Sequence, residues 1–317
     1  MFQTPQINDL QTLFDMYISE CEYTRQLRPQ TIVNYKEVFT NFLKVMPEVR
    51  TTNDLHPHIF NEFFKRISTR KRIVGRGNIK IGVRPSTTKS YYNRLIAFIR
   101  WLESYGYIEK HDLSTKIIKP PEPVYDDERA LTNMEVSRIV SSIALGSIQN
   151  QYLYKRDLVI VSLLLYTGIR KGELLGLRVQ DINFEKRILF INGATSKSKK
   201  SRNIPLHFSL ITHLKSYLLE RKQKNIKCPA LILSSKTDDA FTDHGLKYWV
   251  KKYEKLSGIK FHIHRFRHTF ACNLAKTNAD IVSIMNVMGH STIRMTERYL
   301  RSIKPENSRS FIEDLSY

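Results

Sequence analysis

The sequence predicts a mainly α fold (α+β) in two parts, a helical N-terminal bundle and a mostly helical C-terminal domain with a small sheet. Three observations support this prediction. The chain has 317 residues, which suits two domains at roughly 100–200 residues each. Most segments repeat apolar residues at helical spacing, and only two short segments alternate like strands. Pro120, Pro121 and Pro123 interrupt the helical pattern and predict an extended linker.

The N-terminal part, residues 1–115, is predicted to form four or five helices. Two of them show an apolar stripe of residues three or four apart, the spacing of one helix face. The stripes are Ile32, Tyr35, Phe39, Phe42 and Met46, then Tyr91, Leu95, Phe98 and Leu102. Gly106 follows the second stripe and predicts the end of that helix. With further helices at residues 8–24 and 55–68, this part should pack as a small bundle.

A basic stretch separates the third helix from the fourth. Residues 65–94 contain no Asp or Glu, and such a run is more typical of a polyanion contact than of an ordinary solvated surface. Its cations are Lys65, Arg66, Arg70, Lys71, Arg72, Arg76, Lys80, Arg84, Lys89 and Arg94. Gly75, Gly77 and Gly82 predict a flexible segment or a hairpin turn. The neighbouring Tyr91 and Tyr92 are expected in the core rather than stacked on bases.

The C-terminal domain, residues 130–317, follows a linker at residues 116–129. Thr132 and Glu135 form a capping-box pattern before its first helix. Gly168 should end the long apolar helix that comes next. The elements are predicted as a helix over about residues 154–166, strands over 187–192 and 202–206 around a basic turn, and helices over 242–257, 265–276, 279–288 and 292–301.

The charge balance indicates a polyanionic partner. The chain has 51 Lys and Arg against 30 Asp and Glu, a formal net charge of +21 and a pI near 9.8. A globular protein with this excess repels itself unless an acidic partner offsets the charge, and nucleic acid is the obvious candidate. A basic but otherwise unspecialised protein is the plainer alternative.

Cysteine use and apolar content argue against secreted and membrane proteins. Cys21, Cys228 and Cys272 are scattered and odd in number, so we expect no disulfide framework and a reducing, cytoplasmic setting. The N-terminus lacks a signal-peptide pattern. No apolar run approaches the ~20 residues of a membrane helix.

Two short motifs carry candidate arginines. Arg170 comes just after Gly168, and Glu173 follows three residues later, so one helical turn brings the two charges together. An ordinary salt bridge at a helix start is the alternative. His264 and Arg267 are also three residues apart and share a helix face.

The spacing of His264, His268 and Cys272, each four residues apart, raises the alternative of a metal site. Zinc needs four protein ligands, or three and a water, and no carboxylate stands at the spacing of a helical zinc hydrolase. We therefore predict no metal, and we expect His268 to be buried and hydrogen-bonded.

Two further motifs complete a set that suits phosphodiester transfer. His290 follows a glycine at a helix start, where N–H groups favour anions, and Tyr299 comes nine residues later. Alone, that tyrosine would be a packing residue. The basic turn holds Lys197, Lys199, Lys200 and Arg202, as phosphate contacts would require. Arginines can neutralise developing charge, a lysine can protonate the leaving oxygen and a tyrosine can attack phosphorus, all without a metal.

In this order the residues resemble the catalytic set of the tyrosine recombinases, the phage integrase family. The matching segments are TGIRKGELLGLR, HRFRHTFA and MGHSTIRMTERY, and the resemblance covers about residues 129–302. Phe266 and Met288 stand where the family has leucine, an apolar exchange that leaves the chemistry intact. The family places its lysine eight residues before the proline that ends a strand; counting back from Pro205 gives Lys197, with Lys199 and Lys200 as alternatives.

The resemblance implies a role for each residue of the set. Tyr299 attacks the phosphate; Arg170, Arg267 and His290 stabilise the transition state; Lys197 is the general acid, His264 assists proton transfer, and Glu173 orients Arg170 and His264. No cofactor is expected. The predicted DNA contacts are Arg70, Lys71, Arg72, Arg76, Lys80, Arg84, Lys89, Arg94, Lys199, Lys200 and Arg202.

The resemblance also implies a fold and a function. The N-terminal bundle would be a core-type DNA-binding domain, and the catalytic domain would contain a three-stranded antiparallel sheet. We expect a site-specific recombinase or integrase that works through a 3′-phosphotyrosine, for integration or excision of a mobile element. The alternatives are a Xer-like recombinase that resolves chromosome dimers, a type IB topoisomerase-like enzyme, and a DNA-binding protein that never cleaves.

Assembly follows from the same resemblance. A tetramer on two DNA sites is expected, with exchange of the C-terminal tail, residues 306–317, between neighbours. Phe311, Ile312 and Leu315 are its apolar anchors. Docking of the tail on its own chain is the alternative. No separate arm-binding domain is expected, because the bundle begins almost at the first residue.

Overall fold

The computed structural model describes residues 7–74, 77–121, 130–194, 200–235, 238–277 and 279–300; at positions 74, 294 and 298–300 it describes the backbone alone. The chain divides into two compact units, residues 1–125 and 126–317, and the division falls within the predicted linker. Helices dominate both units, which confirms the predicted mainly α fold. None of the helices in the described ranges has the length and apolarity to cross a membrane.

In its described residues, the N-terminal unit contains five α-helices, one short 3-10 helix (Thr52–Asp54) and one hairpin. The helices are α1 (Leu10–Ser19), α2 (Pro29–Val45), α3 (Pro57–Thr69), α4 (Pro85–Ser104) and α5 (Leu113–Lys116), and α1 continues as a wider π-helical turn, Glu20–Thr24. Three of these helices begin on a proline, a residue suited to the first helical position because its missing N–H would be unpaired there anyway. The antiparallel strands β1 (Lys71–Val74) and β2 (Asn78–Ile81) form the hairpin between α3 and α4.

The core of the N-terminal unit is aromatic. Phe14 of α1 stacks on Phe39 of α2 with their ring centroids 3.8 Å apart, and Phe98 of α4 meets both rings edge-on. The two predicted apolar stripes and the predicted first helix therefore converge on one cluster. Tyr91 and Tyr92 pack against the same cluster, as expected.

The C-terminal unit surrounds one helix that is apolar on nearly all sides. Its elements are α6 (Asn133–Gly146), α7 (Gln151–Thr167), α8 (Lys171–Gly176), β3 (Ile182–Asn183), β4 (Ile188–Ile191), β5 (Arg202–Pro205), α9 (Phe208–Gln223), α10 (Asp243–Ser257), α11 (Ile263–Lys276), α12 (Ile281–Met288) and α13 (Ile293–Leu300). Helix α7 contains the apolar run, and Val159, Ile160 and Leu163 are completely buried. It packs between α6, α9 and α11, which explains why its apolar residues follow no single stripe.

The predicted sheet is confirmed as three antiparallel strands in the order β3-β4-β5. Leu189 pairs with Ile182 on one side and with Ile204 on the other. These three residues face the core, whereas Phe190, the residue after Leu189 on β4, faces outward. Thr132 caps α6 and Glu135 completes the capping box, as predicted. Helix α9 was absent from the predicted elements and is an addition.

Candidate active site

Two glycines in the left-handed region end helices beside the site and expose the carbonyls there. Gly168 ends α7 with φ 58°, and Gly289 ends α12 with φ 63°. The Gly168 carbonyl accepts a hydrogen bond from Nη1 of Arg267 at 2.6 Å, and the Gly289 carbonyl accepts one from Nη2 of Arg170 at 2.7 Å. The Met288 carbonyl accepts a second bond from Arg267 at 2.5 Å. Helix-end carbonyls that lack partners within their helix thus fix both arginines.

Glu173 lies at the centre of a buried charge cluster. Its side chain is fully buried, and it accepts hydrogen bonds from the backbone N–H of Arg170 at 2.9 Å and from Nη1 of that arginine at 3.0 Å. Arg202 approaches from the sheet and donates to both carboxylate oxygens, at 3.0 and 2.8 Å. A buried carboxylate is tolerated only with such partners, and this one is bound by two guanidinium groups.

The role of Arg202 was missed at the level of sequence. It is the first residue of β5 rather than a residue of the turn, its side chain is 8% exposed, and its Nε donates to the Val287 carbonyl at 2.8 Å. A Cβ atom on Gly289 would lie 2.8 Å from its Nη1. No local pattern links Arg202 to Glu173, which lies 29 residues earlier, so only the fold reveals this pair. DNA contact by Arg202 stays a prediction.

His290 is held neutral by its surroundings. It is buried beside Gly289, and its Nδ1 lies 2.9 Å from the hydroxyl of Thr296, a completely buried residue of α13. Burial, followed by the charges of Arg267 and Arg170, lowers the pKa of His290 from 6.5 to about 3. The imidazole is therefore uncharged at neutral pH and can act as a hydrogen-bonding group but not as a resident cation.

Four of the predicted site residues line one open cleft of about 1090 Å³, namely Arg170, His264, Arg267 and His290. Exposed His264 lies in the first turn of α11, one turn before Arg267. Lys171, Lys247 and Lys251 add positive charge to the same cleft. Lys171 and Lys247 both bind Asp243, at 2.6 and 2.8 Å, and these two lysines lower the pKa of that carboxyl. The cleft suits an anionic ligand such as a phosphate.

The spacing of His264, His268 and Cys272, which raised the alternative of a metal site, corresponds to a contact within α11. His268 is buried as expected, and its Nε2 contacts the Cys272 sulfur at 3.5 Å. Within the described part of the chain, no group of three His, Cys, Asp or Glu residues is arranged to hold a metal ion.

Known proteins share both the sequence pattern and the fold. The family model described as "Phage integrase family" matches residues 129–306. The chain belongs to the phage integrase family. Tyrosine recombinase XerA from Pyrococcus furiosus is 28% identical over 269 residues, which cover 84% of this chain and 88% of the relative. Tyrosine recombinase XerC from Oceanobacillus iheyensis is 24% identical over 331 residues, with 97% of each chain covered.

Solved structures of integrases share the fold of this recombinase. The Tn1549 transposon integrase in complex with a circular intermediate DNA has a TM-score of 0.71 and 20% identity, with 98% of this chain and 100% of that chain covered. The XerH site-specific recombinase bound to a palindromic difH substrate has a TM-score of 0.68 and 18% identity, with 97% and 90% covered. At these identities the likeness concerns the fold.

Two members of the recombinase's predicted catalytic set are described less completely. Tyr299 is the last residue but one of α13, the helix that also supplies Thr296, and its side chain lies outside the described atoms. Lys197 lies outside the described residues, as does Lys199, whereas Lys200 is described and exposed. Their roles stay predictions.

The predicted DNA contacts of the basic stretch differ in exposure. Lys71, Lys80 and Arg84 are exposed, Lys89 and Arg94 are half-buried, and Arg76 lies outside the described residues. Two others bond within the N-terminal unit. Arg70 donates to the Asn41 side chain at 3.0 Å, and Nε of Arg72 donates to the Gly82 carbonyl at 2.8 Å. These bonds occupy part of each guanidinium, and contact of either residue with DNA stays a prediction.

Proposed function

We propose that this tyrosine recombinase breaks and rejoins DNA through a covalent bond between Tyr299 and the 3′ phosphate of a cleaved strand. As a member of the family it is a site-specific DNA recombinase. The observation that carries the residue assignment is the cleft in which Arg170 and Arg267, each fixed by backbone carbonyls, meet His264 and His290.

The proposed reaction is two matched phosphoryl transfers. The Tyr299 hydroxyl gives its proton to His264 and its oxygen attacks phosphorus, the bond to the 5′ oxygen breaks, and Lys197 gives that oxygen a proton; the second transfer reverses each of these proton movements. The 5′ hydroxyl of a partner strand then attacks the phosphotyrosine and releases the tyrosine. The number of phosphodiester bonds is conserved, so the reaction consumes no ATP, and the steps above call on no cofactor.

The two arginines would stabilise the charge that builds on the phosphate oxygens. Their guanidinium planes are already set by hydrogen bonds to carbonyls, so little reorganisation is needed when charge develops. Arg170 also donates a hydrogen bond to Glu173, and Arg202 holds that carboxylate in place from the sheet. Neutral His290 would contribute a hydrogen bond, and exposed His264 would assist proton transfer.

Assembly and setting belong to the same proposal. We propose a homotetramer on two duplex sites, exchange of residues 306–317 between neighbours, and action in the cytoplasm on integration or excision of a mobile element. The likeness in fold to a transposon integrase supports the mobile element. A Xer-like role in resolving chromosome dimers is the second candidate, because relatives over most of the chain are named XerA and XerC. Selection of bound duplexes from a random pool, followed by mapping to element ends or chromosomal sites, separates the two.

The covalent intermediate gives the test of the nucleophile. A nicked duplex that loses its short 5′ product should trap the wild-type protein as an adduct on a denaturing gel, and Tyr299→Phe should give none. Tyr248→Phe is the matched control, since Tyr248 is 68% exposed on α10. An equal adduct from Tyr299→Phe would show that another residue is the nucleophile. Relaxation of supercoils by a monomer would favour the topoisomerase alternative.

The general acid can be identified with a leaving group that needs no proton. A duplex with sulfur in place of the bridging 5′ oxygen should restore cleavage by Lys197→Gln, because a thiolate leaves unprotonated. Lys199→Gln and Lys200→Gln should cleave the ordinary duplex nearly normally. Rescue confined to one of these two variants would move the assignment to that lysine.

A further inference from the structure

The hairpin β1–β2 carries an exposed apolar face that the proposed catalytic reaction does not explain. Ile73, Ile79 and Ile81 are 79%, 68% and 72% exposed. The strand register pairs Ile73 with Ile79 and Lys71 with Ile81. Directly paired residues of an antiparallel hairpin share a face, as do residues two apart. Three isoleucines and one lysine therefore form a single face, which we call the isoleucine face.

The base of the hairpin is fixed to the N-terminal unit. Gly82, with φ 65°, follows β2, and its N–H donates to the Arg70 carbonyl at 2.9 Å. A Cβ atom there would lie 2.1 Å from the Ser68 carbonyl oxygen, so only glycine allows this approach to the end of α3. Arg72, on the face opposite the isoleucines, bonds back to the Gly82 carbonyl. The isoleucine face is thus presented in a defined orientation.

Charge decides between the possible occupants of this face. The surrounding residues 65–94 contain ten cations and no carboxylate, and Lys71 and Lys80 on the two strands are exposed. Without DNA to offset the charge, a second copy of a chain with a net charge of +21 would be repelled. Duplex DNA offers phosphates at the edges of each groove, and among the base edges at the floor it offers thymine methyl groups and base steps that admit an apolar side chain. The major groove also admits a two-stranded β-ribbon. DNA therefore complements both the lysines and the isoleucines.

We infer that the hairpin enters a groove of duplex DNA with Ile73 and Ile79 against the bases. Lys71, on the isoleucine face, contacts a flanking phosphate, and Lys80, which is paired with Arg72 on the opposite face, contacts the phosphates at the groove edge. The inference rests on the DNA partner of the proposed function. Isoleucines make no hydrogen bonds, so the face contributes apolar contact with bases, while the lysines contribute the charge.

The salt dependence of binding separates the two contributions. The probe is a fluorescent duplex recovered from a random pool by selection on the wild-type chain. Ile73→Thr with Ile79→Thr keeps the β-branched shape that favours a strand, removes no charge, and should weaken binding by roughly tenfold or more at every salt concentration. Lys71→Gln with Lys80→Gln should instead reduce the slope of log affinity against log salt by roughly 1.8.

Ile148→Thr is the matched control, because Ile148 is 79% exposed in the other unit, and its affinity should equal that of the wild type. Binding by the double isoleucine variant within twofold of wild type would overturn the inference. So would a loss of wild-type self-association in sedimentation with unchanged DNA affinity, which would assign the face to a second copy.

Adduct formation on nicked duplex is measured separately and keeps the two proposals distinct. If wild type forms no adduct but the double isoleucine variant binds duplex more weakly, only the proposed recombinase reaction is contradicted. If wild type forms the adduct but the double isoleucine variant binds duplex as tightly as wild type, only the hairpin inference is contradicted.

Discussion

Replacement of Glu173 by glutamine should destabilise the C-terminal unit more than any exposed charge change. The amide keeps the shape of the side chain, so no cavity forms, but the two guanidinium groups of Arg170 and Arg202 lose their common carboxylate. Four hydrogen bonds of 2.8–3.0 Å converge on that carboxylate. Removal of one partner from a buried ion pair costs about 3–5 kcal/mol, and we expect a loss in this range for Glu173→Gln.

The assay must follow the C-terminal unit alone. Each unit contains one of the two tryptophans, so a Trp101→Phe background leaves Trp249 as the fluorophore of urea unfolding. Glu220→Gln is the control, since Glu220 binds Lys155 at 2.7 Å in a partly exposed pair and should lose about 1 kcal/mol or less. A loss from Glu173→Gln no larger than that of the control would refute the argument.

Three other outcomes follow from the site. The difference in the free energy of unfolding between wild type and His290→Gln should decrease as the pH falls, by at most about 1.4 kcal/mol per pH unit. The pKa of His290 in the folded state, about 3, lies below the ordinary 6.5, so the unfolded state takes up the proton first as the pH falls. The stabilisation by His290 is therefore complete above pH 6.5 and is lost toward pH 3. Urea titrations across this pH range measure the free energy of unfolding. Gly289→Ala should destabilise the protein more than Gly106→Ala in thermal melts. Both glycines have positive φ, but the methyl added at Gly289 would meet Arg202, whereas the methyl added at Gly106 would meet open space. Arg267→Lys, which cannot bond two carbonyls in the same planar geometry, should slow adduct formation roughly 100-fold while duplex affinity changes little.

Much of the fold was accessible from sequence because its signals are local. The Thr132 capping box and the glycine after α7 act within one or two turns of chain, and the structure retains both of them. Helix α9 was missed although Leu210, Leu214 and Tyr217 follow a spacing of four and three. Its polar face is interrupted by apolar residues, so the stripe is less distinct than those of the N-terminal unit.

The site was accessible only in part. Residue types and spacing pointed to Arg170, Glu173, His264 and Arg267, because each pair lies within one helical turn. The groups that fix them are backbone carbonyls and Arg202, and neither leaves a pattern in the sequence. Backbone acceptors are common to every residue, and the approach of β5 to α8 exists only after the sheet has packed against the helices.

The positive charges beside His290 predict how the pKa of His290 responds to a bound anion. The largest cause of its low pKa is burial, and the second is positive charge nearby, first from Arg267 and Arg170 and then from Arg202 and His264. A phosphate bound in the cleft would offset the second cause and leave the first, so the pKa of His290 should rise but stay below its ordinary value. Carbon-detected NMR of labelled histidine, titrated with and without inorganic phosphate, measures this shift, and Arg170→Gln should reduce it. A pKa unchanged by saturating phosphate would mean that the anion binds away from the arginines, and the catalytic geometry proposed for this cleft would then be wrong.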